Sequence, residues 1–154
     1  MKTYRSFIVA VALMGLFVAS QAMAQGQSPS RPPFFAVLLG GNEVSAEGQA
    51  NAGDPHGVGS ATILIDGTTL CFGITVNNLD QPTAAHIHHG VAGVNGPIVV
   101  PLTPPVDGDP GASSACIPEV HPDLLREIRA NPGRFYVNVH TEQFPAGAIR
   151  GQLF

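Results

Sequence analysis

The sequence predicts an all-β protein, an antiparallel β-sandwich with one short helix. Two runs of alternating apolar and polar residues flank an Asp-Gly turn, which is a strong hairpin pattern. The 154 residues include 18 glycines and 14 prolines and no tryptophan, a composition typical of short elements joined by tight turns. A single stretch shows helical periodicity, so strands are expected to supply most of the core.

The first 24 residues have the organisation of a secretory signal peptide. Lys2 and Arg5 form a short basic region, residues 7–18 form an apolar run, and small residues precede the expected cleavage site after Ala24. The apolar run is too short to span a bilayer, although an uncleaved anchor is the alternative. Because no later segment reaches membrane-spanning length, we expect a soluble mature chain of 130 residues.

The predicted mature chain is acidic and has the size of one domain. It keeps five arginines, no lysine and 11 acidic residues, a formal charge of −6. Because nucleic-acid binding needs a basic surface, no nucleic-acid partner is expected. Residues 25–33 are polar and proline-rich and predict a disordered lead-in, and residues 34–154 form the predicted domain.

The predicted strands begin with residues 34–39, which are apolar and end at a Gly-Gly pair. A loop without periodicity leads to the hairpin of residues 59–66 and 68–76, whose turn is Asp66-Gly67. One face of each hairpin strand is apolar; the residues are Ala61, Ile63, Ile65, Leu70, Phe72, Ile74 and Val76.

The second half of the chain supplies the remaining elements. Residues 103–114 contain three prolines and predict an extended loop, and residues 121–133 predict the helix, with Pro122 at its first position. The remaining predicted strands are residues 83–89, 96–102, 134–141 and 147–154.

Two cysteines, Cys71 and Cys116, lie in the predicted mature chain. In an oxidising compartment they are expected to form one disulfide closing a loop of about 45 residues, which chain-entropy reasoning values at about 3–4 kcal/mol. A pair of thiols or a soft metal site is the alternative, and it is weaker because neither cysteine lies near a histidine in the sequence.

Three of the six histidines fall within four residues, in the segment "HIHH". Residues i and i+2 of a strand point to the same side, about 6.6 Å apart, so His86 and His88 share one face while Ile87 enters the core. His140 lies on a later strand, on the face opposite Val137 and Val139. If the two strands are neighbours, three imidazoles converge on one point.

Such a cluster predicts a metal site. His89 and the loop residue His56 are candidates for a fourth donor, and nitrogen donors favour copper or zinc over magnesium or calcium. The alternative is that these histidines are hydrogen-bonded polar residues without a ligand. His121 precedes Pro122 and is interpreted as a helix-entry residue.

Other catalytic patterns are weak. Ser113 and Ser114 have no histidine beside them, and no two glutamates are fixed by spacing for sugar cleavage. Arg150 lies on a predicted strand among apolar neighbours, where we expect an ion pair or hydrogen bonds to loop carbonyl groups.

The segments "AAHIHHGVAGVNGPIVVPL" and "FYVNVHTEQFPAGAIRGQLF" together resemble the CHRD domain, the module named after chordin and found in exported bacterial proteins. The hairpin and "LLGGNEV" resemble earlier parts of that family, so the resemblance covers residues 33–154. It implies an immunoglobulin-like or superoxide-dismutase-like sandwich and no settled activity. The family motif falls on His86, His88, His140, Thr141, Pro145, Gly147, Arg150 and Gly151. Ala148 replaces the family's usual acid.

The H-x-H pair is also similar to the copper pair of copper–zinc superoxide dismutase, which supports a metal site and not dismutation. The leading hypothesis is therefore an exported, non-enzymatic binding protein with a copper or zinc site, in the periplasm or outside the cell. An interaction module at the cell surface, with an unidentified protein partner and structural histidines, is the alternative. A metal-dependent redox enzyme is the third hypothesis.

Overall fold

A computed structural model describes residues 32–107 and 111–154. The predicted signal peptide and residues 25–31 of the predicted lead-in lie outside the described residues. The strands are β1 (Phe34–Leu39), β2 (Val58–Asp66), β3 (Thr69–Asn77), β4 (Pro82–His89), β5 (Ile98–Leu102), β6 (Gly111–Ile117), β7 (Phe135–Thr141) and β8 (Ile149–Gln152). Helix α1 is Pro122–Ala130, and 3-10 turns occupy Gly40–Asn42 and Pro132–Arg134.

The eight strands form one antiparallel sheet in the order β5-β4-β7-β8-β1-β2-β3-β6. Their inward side chains meet in a single apolar cluster to which every described strand except β6 contributes buried residues. The hydrogen bonding is thus continuous through one nearly barrel-like sheet whose halves face each other across the core. The prediction of an all-β fold with one short helix is confirmed.

The central hairpin follows the alternating pattern along its whole length. Nine pairs join β2 to β3, from Val58 opposite Asn77 to Asp66 opposite Thr69. Gly67 lies in the turn with a φ of 54°, a left-handed conformation that glycine adopts without a Cβ penalty. The seven apolar residues predicted on the inner faces are all buried.

Helix α1 covers part of the same core. It starts at Pro122, and the His121 ring accepts a hydrogen bond from the Asp123 backbone N–H at 3.3 Å, which caps the first turn. Leu125 and Ile128 are fully buried in the main cluster. Within the described part of the chain, no helix is long and apolar enough to cross a membrane.

The prediction of an extended loop over residues 103–114 is wrong at its end. Strand β6 begins at Gly111 and pairs with β3 from Gly111 opposite Val76 to Ile117 opposite Leu70. The small residues of β6 show no alternation of apolar and polar side chains. The strand is defined instead by its backbone pairing with β3 and by a disulfide bond to that strand. Cys71 and Cys116 lie directly opposite each other on β3 and β6 and form a disulfide.

Strand β7 is buried on both faces. Alternation along the strand puts Phe135, Val137 and Val139 on the core face, and Tyr136 and Asn138 on the opposite face are also buried. Two loops, residues 40–57 and 90–97, lie over the outer face of β7 and β8. The second loop hydrogen-bonds to the Tyr136 hydroxyl group, and both loops accept hydrogen bonds from Arg150 of β8. The polar layer between strand and loops contains the histidines.

Candidate metal centre

Three histidines lie together on the outer face of neighbouring strands β4 and β7. His86 and His88 are two residues apart on β4. The antiparallel register places Ala84 opposite His140 and His86 opposite Asn138, so His140 is the diagonal neighbour of His86. One nitrogen atom from each of the three imidazoles lies within 4.8 Å of the others, close enough for the set to hold a metal ion.

Backbone carbonyl groups fix the tautomers of two of these rings. His88 Nδ1 lies 2.8 Å from the Gly96 carbonyl oxygen, and His140 Nδ1 lies 3.0 Å from the Pro145 carbonyl oxygen. Because a carbonyl oxygen only accepts, each Nδ1 carries the proton and donates it. In the neutral rings both Nε2 atoms therefore present lone pairs, as in metal-binding histidines held by a carbonyl behind the ring.

The centre of the cluster contains more acceptors than donors. His86 Nδ1 lies 3.0 Å from His140 Nε2, and the Asn138 carboxamide oxygen lies 3.1 Å from that same Nε2. Among the described residues, His88 Nε2 has no hydrogen-bond partner although it is buried. The N–H of His86 can donate a hydrogen bond to one of these acceptors. The remaining acceptors then have no hydrogen-bond donor, and one cation bound between them would satisfy them all.

All three imidazoles are held neutral by their surroundings. Burial, and then the nearby His140 and His88, lower the pKa of His86 to about 4. Burial is also the main cause that lowers the pKa of His88 and of His140, and the Arg150 cation adds to it in both cases. The neutral imidazole is the form that binds metals, so the site needs no proton release at neutral pH.

The aromatic ring of Tyr136 separates the histidines from a buried cation. Tyr136 lies on β7, between β4 and β8, and its ring stacks on His88 at 4.7 Å between ring centres with 9° between the planes. The Arg150 guanidinium on β8 lies 4.3 Å from the centre of the same ring. Tyr136 also accepts a hydrogen bond from the Gly96 N–H at 3.2 Å, which holds the backbone that orients His88.

Arg150 connects this layer to both covering loops. Its guanidinium donates to Glu43 Oε2 at 2.8 Å, to the Asn95 side-chain oxygen at 2.6 Å and to the Val94 carbonyl oxygen at 3.3 Å. Arg150 therefore makes both the ion pair and the carbonyl contact expected from the sequence. Asn95 in turn donates to the carbonyl groups of Val44 and Ser45, so one loop is tied to the other.

The carboxylate of Glu43 is nearly inaccessible to water. Burial raises its pKa, and Arg150 opposes that shift by charge and by hydrogen bonding. Gly147 faces the carboxylate with a φ of 146°, and a Cβ at this position would collide with it. A glycine is required there because the backbone conformation and the close approach both exclude a side chain.

The remaining predicted site residues lie elsewhere. His89 turns to the other side of β4, where it stacks on Phe135 and lies 3.4 Å from the Glu127 carboxylate. His56 is an exposed loop residue whose backbone N–H bonds to Asp54. Neither belongs to the three-histidine cluster found among the described residues.

Several residues of the site carry no recognisable sequence signal. The carbonyl groups of Gly96 and Pro145 act through the backbone, so their residue types do not reveal the role. Glu43 lies more than 100 residues from Arg150 in the chain. Alternation along β7 puts Asn138 on the same face as His140, and this is the one sequence signal that identifies Asn138 as a neighbour of the histidine cluster.

Comparison with known proteins gives one match. A family model described as the CHRD domain matches residues 34–153, nearly all of the part that the structure describes. No curated protein and no solved structure matches the chain.

The lowered histidine pKa values predict a pH-dependent stability. The pKa of an unfolded histidine is about 6.5, so the unfolded chain takes up protons first and folding stability falls from about pH 6.5 towards pH 4. Replacing His86→Gln should flatten this fall by about 1–2 kcal/mol, after allowance for the partial exposure of His86. Urea unfolding of both proteins between pH 7.5 and pH 4 measures the effect, and parallel pH profiles would contradict it.

The buried ion pair predicts a large loss on removal of one partner. Arg150→Met leaves the Glu43 carboxylate buried without its cation and should lower the free energy of unfolding by about 3–5 kcal/mol. Adding Glu43→Gln should restore part of this loss. Arg126→Met is the matched control, because Arg126 pairs with Asp123 on the surface, where such pairs contribute about 0–1 kcal/mol. Equal losses for both arginines, measured by denaturant unfolding, would disprove the assignment.

Proposed function

The chain belongs to the CHRD-domain family, and from that premise we propose that it is an exported, non-enzymatic binding protein whose three clustered histidines hold a copper or zinc ion. The observation that carries this proposal is the orientation of His88 and His140. Two backbone carbonyl oxygens accept hydrogen bonds from their Nδ1–H groups, which leaves the two Nε2 lone pairs directed into one small space.

A purely structural role accounts less well for this arrangement. Polar groups removed from water are normally satisfied by hydrogen bonds, and an unsatisfied one costs about 1–3 kcal/mol. His88 Nε2 is such a group among the described residues. A bound cation removes this cost, which supports a ligand at the cluster over an interaction module with structural histidines.

The donor set suits copper or zinc. When His86 carries its proton on Nε2, its Nδ1 presents a lone pair 3.0 Å from His140 Nε2, so both atoms can reach one ion at the metal–nitrogen distance of about 2.0–2.1 Å. Imidazole nitrogens are ligands that both of these metals accept. The nearby Asn138 oxygen adds an oxygen to the nitrogen donors, a mixture that copper(II) accepts.

Metal uptake by matched histidine variants tests the site. Calorimetry of the purified protein with Cu(II) should give one ion per chain, and electron paramagnetic resonance should show nitrogen coupling. His86→Ala with His88→Ala should weaken Cu(II) binding at least about 100-fold, because two of three nitrogen ligands are lost.

The control variant is His56→Ala with His89→Ala, which removes two imidazoles outside the cluster and should bind Cu(II) as the unaltered protein does. Absence of stoichiometric uptake by the unaltered protein would overturn the metal site and leave the interaction module. Loss of uptake in the control would contradict a site made by His86, His88 and His140.

Export is supported by the signal-like leader and by the disulfide, since disulfides persist in oxidising compartments. We expect the protein recovered from its producing cells to begin at Gln25 and to contain the Cys71–Cys116 bond. Intact-mass measurement and N-terminal sequencing check both points. A chain found inside the cell with its first 24 residues attached would contradict export.

A further inference from the structure

The outer face of strands β1, β2, β3 and β6 carries one charged side chain at its outward positions, Asp66 at the end of β2. The register aligns Val37 with Ser60, Thr75 and Ala112 across the four strands, and other rows run parallel to this one. We call this surface the neutral face. It comprises the odd-numbered positions 35–39 of β1, the even-numbered positions 58–64 of β2, the odd-numbered positions 71–77 of β3 and the even-numbered positions 112–116 of β6.

One side of the neutral face is an apolar ridge. The outward residues of β1 are Phe35, Val37 and Leu39, with 45%, 55% and 40% of their surface exposed. Phe154, beside Phe35 with 6.4 Å between the ring centres, extends the ridge. Strands that face water normally carry polar residues outward, and contiguous apolar patches mark interaction sites. Because β1 lies between β8 and β2, its backbone is already paired, and the side chains alone are available for contact.

The other side of the neutral face is a shallow trough. It has a volume of about 480 Å³ and is lined by Gly73, Thr75, Ala112 and Ser114 among others. A Cβ added at Gly73 would meet no atom within 4 Å, so the floor is low at that position. The Ser60 and Thr75 hydroxyl groups lie 3.0 Å apart and hydrogen-bond to each other. Since these hydroxyls already have partners, covering them costs little.

From the ridge and the trough we infer that two copies of this chain associate through the neutral face. The ridge lies on one side of β2 and the trough on the other. A half-turn about an axis parallel to β2 places β1 of each copy over β3 and β6 of its partner, which is a closed two-fold interface. Each ridge then fills the facing trough.

Charge favours a second copy over a charged partner. The chain has a formal charge of −4, so two copies repel each other through most of their surfaces. The neutral face avoids most of this repulsion, because the two acidic residues that border it, Asp66 and Asp107, lie at the end of β2 and at the rim of the trough. Four neighbouring strands spaced about 4.8 Å apart, each about 20 Å long, give a plane of about 400 Å² per copy. That area is small for a permanent dimer, so we expect reversible association in the micromolar range.

Sedimentation equilibrium of the purified protein over about 1 µM to 1 mM tests this inference, which does not depend on the metal site. The unaltered protein should show a monomer–dimer equilibrium. Val37→Glu places a charge on each ridge and should weaken association at least tenfold. Gly73→Glu should do the same by filling the trough, where a side chain has room in the monomer. Val91→Glu is the control, because Val91 is similarly exposed, at 48%, in a loop outside the neutral face.

Circular dichroism and thermal unfolding establish that each variant remains folded. A protein that stays monomeric throughout the concentration range would overturn the inference, as would equal weakening by Val91→Glu. Sedimentation of the monomer with phosphatidylcholine vesicles, abolished by Val37→Glu, would also overturn it by showing that the face meets a lipid surface instead.

Discussion

The register between β4 and β7 determines everything that the histidines can do. Strand alternation puts His86 and His88 on one side of β4, but only the pairing of Ala84 with His140 brings the third ring beside them. Because a slip of one residue moves a strand's side chains to the other face, this ladder allows no intermediate arrangement. The apolar residues between the histidines, including Ile87 and Val139, fix the register through the core. Packing of the apolar face of β4 and β7 in the core thereby positions the histidines on the opposite face.

A second determinant is the buried guanidinium of Arg150. Its contacts with Glu43, Val94 and Asn95 hold two loops over β7 and β8, and one of those loops supplies the Gly96 carbonyl that orients His88. The cation serves the fold through this network. Burial is the main cause that lowers the pKa of His88 and of His140, and the charge of Arg150 adds to this effect. Stability of the loops and the protonation state of the cluster are therefore coupled.

The sequence predicted the elements whose signals are local. β1 matches its predicted bounds, and the hairpin and the start of α1 at Pro122 follow from alternation, turn residues and helix-start preferences. β6 was missed because its glycine, alanine and serine residues carry no periodic signal, and its partner strand lies about 40 residues earlier. The pairing of His86 with His140 depended on strand order, which alternation within each strand does not reveal. The orienting carbonyl groups and Glu43 belong to loops, whose paths are set by distant contacts.

The Cys71–Cys116 bond joins the two ends of a chain segment that includes all of β4 and β5. The strand that carries His86 and His88 thus belongs to a covalent ring that closes through sulfur. A protease cut within the loops of that ring, at residues 90–97 or 103–107, would leave a single molecule with its imidazoles still tethered. Such a ring keeps His86, His88 and His140 on one molecule after the backbone between the two cysteines has been broken.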